Sequence, residues 1–398
     1  VALATYNGST RRVAIKHGVT VVSGGVLAGC LDSESAGPPS DTSTDDRYSV
    51  TMAPVGEVEF DSVPEDVFTI LPHHADMALA LGRGDALNAL HAPEYYQSLW
   101  RKFTHHLDGV SVDWEGLYSS WPPAKEKLYE LDSDVHLADP AKVATAQGMD
   151  ADDIEEIERT VGPWFGNTFS AIHQQPPAEW ADEYEYYTLW EIFENVAAVF
   201  REEKRYEALK TVHSSVLAII DENLPPKSER PTAAMVLFSS SDDRMWGYKM
   251  NHPGYYAAHT RPLGATDALA DAGYGDSENI ELDYEMLLEA DPDVLLVLGP
   301  MSETHAIEAI RERLESNSVT REISAVKNGR VYTQGARGQG PLANHFQLEM
   351  TAKQLYPDRF GEWPGYEDGS PYPGIPEGER LFDRQRVADI VAPDPGNY

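Results

Sequence analysis

Glu285-Met286-Leu287-Leu288-Glu289-Ala290-Asp291-Pro292-Asp293-Val294 is the stretch that decides the fold, because the other half of the chain echoes it as Glu126-Lys127-Leu128-Tyr129-Glu130-Leu131-Asp132-Ser133-Asp134-Val135. In each copy a glutamate opens a short helix and apolar positions (Leu287 and Ala290, Leu128 and Leu131) face a sheet. An aspartate then precedes a strand. Outward from the second copy, Val294–Leu298 reads as a buried strand and Arg330–Tyr332 as another. Val67–Leu71 and Ala233–Phe238 are further strands. Pro72 ends the first, and Ala75–Leu81 makes a short helix closed by Gly82 and Gly84. Strands alternating with helices indicate an α/β class, here two Rossmann-like lobes with parallel-type sheets.

Between the copies, Leu189, Ile192, Phe193, Val196, Val199 and Phe200 recur at helical spacing, and Leu209, Val212, Val216, Ile219 and Ile220 continue the pattern until Pro225 and Pro226. The spacing predicts a long interlobe helix over residues 183–224; a break near Glu202–Tyr206 is compatible with the pattern, although nothing in the sequence forces one. About forty helical residues would span about 60 Å and limit the motion of one lobe against the other across a ligand cleft.

Among the 398 residues, 66 acidic side chains face 31 Lys and Arg, for a formal net charge of −35. That balance excludes non-specific nucleic-acid binding, which needs a basic face. The acids are spread along the chain, as on a halophile surface whose self-repulsion is screened by molar salt. One cysteine, Cys30, excludes an intrachain disulfide framework. No apolar run reaches the ~20 residues of a membrane-spanning helix.

Residues 1–29 hold Arg11, Arg12 and Lys16 and no acid, and Thr10-Arg11-Arg12-Val13-Ala14-Ile15-Lys16 precedes a weakly apolar stretch ending in Leu27-Ala28-Gly29-Cys30. This is similar to a twin-arginine export signal followed by a lipobox, although Ala14 stands where the export pattern prefers an aromatic. The expectation is an exported protein lipidated on Cys30 and tethered to the outer face of the cytoplasmic membrane. Residues 33–46 are polar and suit a flexible leash. The predicted organisation is a signal over 1–29 and a lipidated cysteine with linker over 30–56. An N-terminal lobe over 57–182, the helix over 183–224, a C-terminal lobe over 225–361 and a Pro/Gly-rich extension over 362–398 follow.

Several segments in order along the chain, from about Pro64 to Trp363, resemble class III substrate-binding proteins of ABC importers, the group serving ferric siderophores, cobalamin and haem. They are Val63-Pro64-Glu65-Asp66-Val67, Leu79-Ala80-Leu81-Gly82, Tyr284 to Asp293, Ala325-Val326-Lys327-Asn328-Gly329-Arg330-Val331-Tyr332 and Leu355-Tyr356-Pro357-Asp358-Arg359-Phe360. The N-terminal half departs most: Leu131-Asp132-Ser133-Asp134 replaces a Leu-Lys-Pro-Asp pattern, and residues 139–174 look like added material. The resemblance implies a non-enzymatic, monomeric receptor, a lipoprotein of haloarchaeal type, working with an ABC permease and its ATPase subunit and needing no cofactor. It matches Glu126 and Glu285 to the glutamates that pair with permease arginines. The same two residues also suit the first turn of a helix for electrostatic reasons alone.

Ligands of α/β lobes bind beyond the carboxyl ends of the strands. That selects His73 and His74, Trp164, Trp246, Tyr248 and Arg337. Aromatic walls and an arginine suit a planar or anionic metal chelate, with a ferric siderophore leading. Cobalamin, haem, or a bare transition-metal ion held by His73-His74 or His105-His106 are the alternatives. A surface metal-dependent hydrolase is a rival from another class, but the chain has no Gly-x-Ser-x-Gly, His-Glu-x-x-His or phosphate-loop motif.

Overall fold

The computed structural model describes residues 47–239, 244–275, 277–302 and 305–392. The expected export signal, Cys30 and the linker as far as Asp46 lie outside the described residues.

An antiparallel hairpin comes first: β1 (Tyr48–Met52) against β2 (Gly56–Phe60), with Tyr48 opposite Phe60. Val50, Met52, Val58 and Phe60 point inward and are buried. Residues 48–56 are therefore part of the folded body, and the expectation of a linker reaching residue 56 is corrected. Alternation over five residues is enough to bury one face.

The sheet of the N-terminal lobe has three parallel strands in the order β4-β3-β5, namely β3 (Val67–Thr69), β4 (Leu87–Ala89) and β5 (Val135–Leu137). Around it lie α1 (Pro72–Ala80), α2 (Pro93–Thr104), α3 (Lys125–Leu131), α4 (Pro140–Val143) and α5 (Ala151–Thr160). Pro72 does more than end the strand. It occupies the first turn of α1, where its missing N–H costs nothing, so this helix starts earlier than Ala75. Residues 139–174 supply α4 and α5. The start of α5 is closed by a capping box between Asp150 and Asp153, and Lys125 of α3 binds Asp153 and Glu156 at 2.6 and 2.7 Å.

The long connection is two helices, α6 (Leu189–Val199) and α7 (Glu203–Asn223). Arg201 takes a positive φ of 54°, and the chain folds back there. Trp190 stacks on His213 with ring centroids 4.2 Å apart, and Phe193 meets Tyr206 at 5.4 Å. Such pairing requires antiparallel neighbours, so the expected 60 Å rod over 183–224 is corrected to a hairpin. Its second arm, α7, is about 31 Å long and leads through Pro225 and Pro226 into the C-terminal lobe.

There the strands run β11-β10-β6-β7-β9, with β8 also beside β6. They are β6 (Thr232–Phe238), β7 (Met245–Tyr248), β8 (Thr266–Asp267), β9 (Asn279–Leu282), β10 (Val294–Leu298) and β11 (Val331–Gln334), joined by α8 (Tyr284–Ala290), α9 (Ile307–Ser316) and α10 (Ser324–Lys327). β8, β10 and β11 are aligned in parallel with β6 through the sheet, whereas β7 is antiparallel to both β6 and β9. The sheet is thus mixed, not purely parallel. The loop between Phe238 and Met245 is too short for the crossover of a dozen or more residues that a parallel return needs.

The repeated motif has one geometry in both lobes. Leu128 and Leu287 are the buried residues of α3 and α8, and both helices end on an aspartate in the left-handed region, Asp132 (φ 48°) and Asp291 (φ 37°).

The helix α11 (Pro341–Leu355) is buried along its whole length and touches α1, α2, α6, α7 and β11, so it links the two lobes. The short α12 (Pro357–Phe360) follows it. The stretch expected to be an extension, from residue 362, instead packs back over this helix, with Tyr372 and Phe382 against Phe346, buries Trp363 and Tyr366, and ends in α13 (Arg384–Val391). Among the described residues no helix is long and apolar enough to cross a membrane.

Candidate functional site

The carboxyl ends of β3, β6, β10 and β11 converge on one cleft between the lobes, a cavity of about 280 Å³. Leu71, Pro72, Tyr95, Tyr96 and Leu99 form its N-terminal side. Leu237, Tyr248, Tyr256, Glu278, Leu298, Gly299, Met301, Ser302 and Gln334 to Gly338 supply the other. This is where strand topology leaves backbone ends and loops free to meet a ligand.

Arg337 sits in this cleft. Its guanidinium carbon lies 4.2 Å from the ring centroid of Tyr248 and 4.6 Å from that of Tyr256, and Nη2 donates to Glu278 Oε2 at 2.6 Å. Two aromatic faces and one carboxylate therefore hold the cation in a fixed plane. Burial pushes the Tyr256 hydroxyl up to about 12, against the opposing pull of Arg337, and raises Tyr248 for the same reason. Both phenols stay neutral at ordinary pH and act as hydrogen-bonding aromatic walls.

A second cavity of about 240 Å³ adjoins the first through Leu71, on the N-terminal lobe alone. His74, His91, Trp121, Asp139, Lys142 and Thr168 line it, with Ile70 and Ala138. Lys142 Nζ stands 5.6 Å from the ring centroid of Trp121. Asp139 is fully buried, which raises its pKa, while hydrogen bonds from Tyr184 Oη and Thr168 N (both 2.6 Å) and Ala141 N (2.9 Å) hold the carboxylate in place. Burial lowers His74 to about 4, so this imidazole is neutral.

One edge of the cleft is closed by direct contact between lobes. Gly254 lies so close to the N-terminal lobe that a Cβ there would stand 2.1 Å from the carbonyl oxygen of Ala171. Tyr255 beside it is buried against His73, with ring centroids 4.9 Å apart.

Of the residues selected from sequence, Tyr248 and Arg337 are in the cleft and His74 is in the adjoining cavity. His73 lies instead under the lobe contact, against Tyr255 and His74. Trp164 is corrected to a core residue. It extends the edge of the N-terminal sheet by a bridge to His136, packs on that ring at 4.4 Å and donates Nε1 to the Ile154 carbonyl at 3.2 Å. Trp246 is half-buried on β7 with Arg244 over its ring at 5.4 Å, and is not among the residues lining either cavity. The paired histidines do not assemble a site: the His105 and His106 rings meet edge-on at 5.3 Å, and among the described residues no three His, Cys, Asp or Glu side chains are grouped to hold a metal ion. Glu126 and Glu285 are exposed in the first turns of α3 and α8.

Sequence reading missed Tyr95, Tyr96, Tyr256 and Glu278. The first three carry a usable signal, a tyrosine pair following a proline (Pro93, Pro253).

With this geometry established, the likeness to known proteins has a structural meaning. Residues 146–337 match the model of the family described as "Periplasmic binding protein". The described body also superposes on an iron uptake ABC transporter substrate-binding protein, PiuA, of Streptococcus pneumoniae (TM-score 0.53, 16% identity, 77% of this chain and 98% of that one). It has the fold of a class III periplasmic binding protein. A structure from Saccharomonospora viridis described as an ABC-type Fe3+-hydroxamate transport system gives a TM-score of 0.51 at 20% identity, over 77% of this chain and 98% of that one. A putative ABC transporter substrate-binding lipoprotein of Bacillus subtilis, YhfQ, is 24% identical over 173 residues, 39% of this chain. The chain spans about half the length of that curated relative (51%). The α6–α7 hairpin and the two lobes of this periplasmic binding protein fold fall within the matched segment in whole or in part.

Proposed function

We propose that this protein is the extracytoplasmic solute receptor of an ABC importer, capturing a metal chelate, with a ferric siderophore as the leading class, and handing it to the permease without chemistry of its own. The observation that carries this reading is the interlobe cleft at the strand ends, where Arg337 is clamped between Tyr248 and Tyr256. Aromatic faces and a fixed guanidinium bind planar, oxygen-rich surfaces by stacking and directed hydrogen bonds. The relatives named above, described as iron uptake and Fe3+-hydroxamate proteins, support the same class.

Delivery would use Glu126 and Glu285, one exposed carboxylate on each lobe, on helices of matching geometry. Two charges at a separation set by the lobes pair well with a rigid partner in one orientation. Export by the twin-arginine route, lipidation of Cys30 and a surface adapted to high salt complete the proposal.

Titration of the full chain against ferric siderophores, haem, corrinoids and free metal ions, followed by the emission of its eight tryptophans, tests the reading. Saturable quenching by a ferric chelate at micromolar concentration is expected. Saturation by haem, a corrinoid or a free ion alone would move the assignment to that ligand, and no response to any of them would reject the receptor.

A further inference from the structure

The charge pattern inside the cleft narrows the ligand class, on the footing that the protein is a receptor for ferric chelates. We infer that Glu278, by holding the guanidinium of Arg337, selects a chelate without net charge and rejects polyanionic ones.

Arg337 is the cation among the residues lining the cleft and Glu278 is the carboxylate, so the formal charges cancel. The pair is in direct contact at 2.6 Å, with the arginine side chain 12% exposed and the glutamate 29%. Tyr248 and Tyr256 cover the guanidinium from two sides, so its freedom to turn toward another partner is small. An anion that takes Arg337 must either expel the Glu278 carboxylate or sit beside it. Separating a charge pair in partly desolvated surroundings leaves one member uncompensated, which costs more than the original pair gained. The adjoining cavity adds one lysine, Lys142, which stands over Trp121, and one buried aspartate, Asp139, so its lining brings no net formal positive charge. The overall charge of −35 adds no long-range attraction for an anion.

Ferric chelates divide sharply on this property. Three hydroxamates around Fe³⁺ give a complex without net charge, whereas three catecholates leave three negative charges. A neutral chelate can pack on Tyr95, Tyr96 and the leucines of the cleft and accept hydrogen bonds from the remaining guanidinium N–H groups while the Arg337–Glu278 pair stays intact. A trianion that reaches the same N–H groups brings its negative charge against the Glu278 carboxylate, or must displace it. Glu278 therefore acts by repulsion against the wrong ligand as much as by attraction toward the right one.

The test compares ferrichrome, a neutral trihydroxamate complex, with ferric enterobactin, a trianionic tris-catecholate, by fluorescence titration of the full chain. The wild type should bind ferrichrome at least about tenfold more tightly, and Glu278→Gln should lower that ratio by about tenfold, a difference of about 1.4 kcal/mol. Glu278→Asp, which keeps the charge, should preserve the preference. A thermal melt of each variant confirms folding. Equal or tighter binding of the trianion by the wild type, or a ratio unmoved by Glu278→Gln, overturns the selectivity and leaves the receptor reading standing. If the wild type binds neither these chelates nor any other ferric chelate, the ferric-chelate reading itself falls, and this inference with it.

Discussion

Asp134 and Asp293 perform one task in two lobes. The Asp134 carboxylate accepts the N–H groups of Glu65 and Asp66 at 2.8 and 3.0 Å, just before β3, and the Asp293 carboxylate accepts Thr232 N and Oγ1 at 2.8 and 2.9 Å, at the start of β6. Each aspartate ties the entry of its own strand to the entry of the parallel neighbour. Asp293 is the less exposed of the two bonded sets, so its removal should cost more: about 1–3 kcal/mol for Asp293→Ala, against about 1 kcal/mol for Asp134→Ala. Denaturant unfolding of the two variants measures both, and equal losses would contradict the ranking.

The C-terminal segment is anchored by one buried ion pair. Glu349 of α11 is fully buried and accepts Arg384 Nη2, the Leu381 N–H and the Tyr372 hydroxyl, while the Arg384 guanidinium carbon lies 4.2 Å from the ring centroid of Phe382. Arg384→Met leaves that carboxylate without its cation and should destabilise the protein by about 3–5 kcal/mol. Adding Glu349→Leu should recover part of the loss, since the uncompensated charge is gone. A double variant weaker than the sum of the two singles would refute this account.

Much of this architecture is legible in the sequence because its signals are local. The echo of Glu126 to Val135 in Glu285 to Val294 needs only ten residues at a time, and Tyr248 and Arg337 follow recognisable strands. Glu278 gave no such signal. It lies 59 residues from its partner Arg337, one carboxylate among 66, and only the folded chain joins them. The turn at Arg201 is hidden for another reason: apolar periodicity resumes on both sides of it, and a backbone angle leaves no mark in residue type. Proline and glycine make residues 362–392 read as an extension, although aromatic side chains along it find the surface of α11.

Acid should weaken the fold through its buried histidines. Burial holds His74, His136 and His345 at about 4, below the ordinary value of 6.5. Between those values the unfolded chain takes up protons that the folded one refuses, so each histidine removes up to about 1.4 kcal/mol of stability per pH unit as pH falls. Asp76 works in the opposite direction: burial lifts its carboxyl to about 7, so the folded state gains a proton, and stability, as pH falls toward 4. Asp139, Asp267 and Glu158, also raised by burial, side with Asp76. His73, His213, His252 and His259, also lowered by burial, side with the three histidines, and the more numerous histidines leave a net loss. Stability from urea unfolding should therefore decline from pH 6.5 to pH 4.5, and a flat or rising profile would reject the argument.

Salt should raise stability by screening, and the shape of the curve identifies the cause. At a net charge of −35, repulsion among carboxylates opposes the compact state. The Debye length shrinks from ~10 Å at ~0.1 M to ~3 Å at ~1 M, so screening has done most of its work by ~1 M. Salts excluded from the protein surface strengthen apolar burial by a separate route that continues to grow with concentration. The melting temperature in sodium chloride should thus climb steeply to ~1 M and more slowly to ~3 M. A linear rise across the whole range would assign the effect to exclusion, and a melting temperature indifferent to salt would remove charge repulsion from the energetics of this fold.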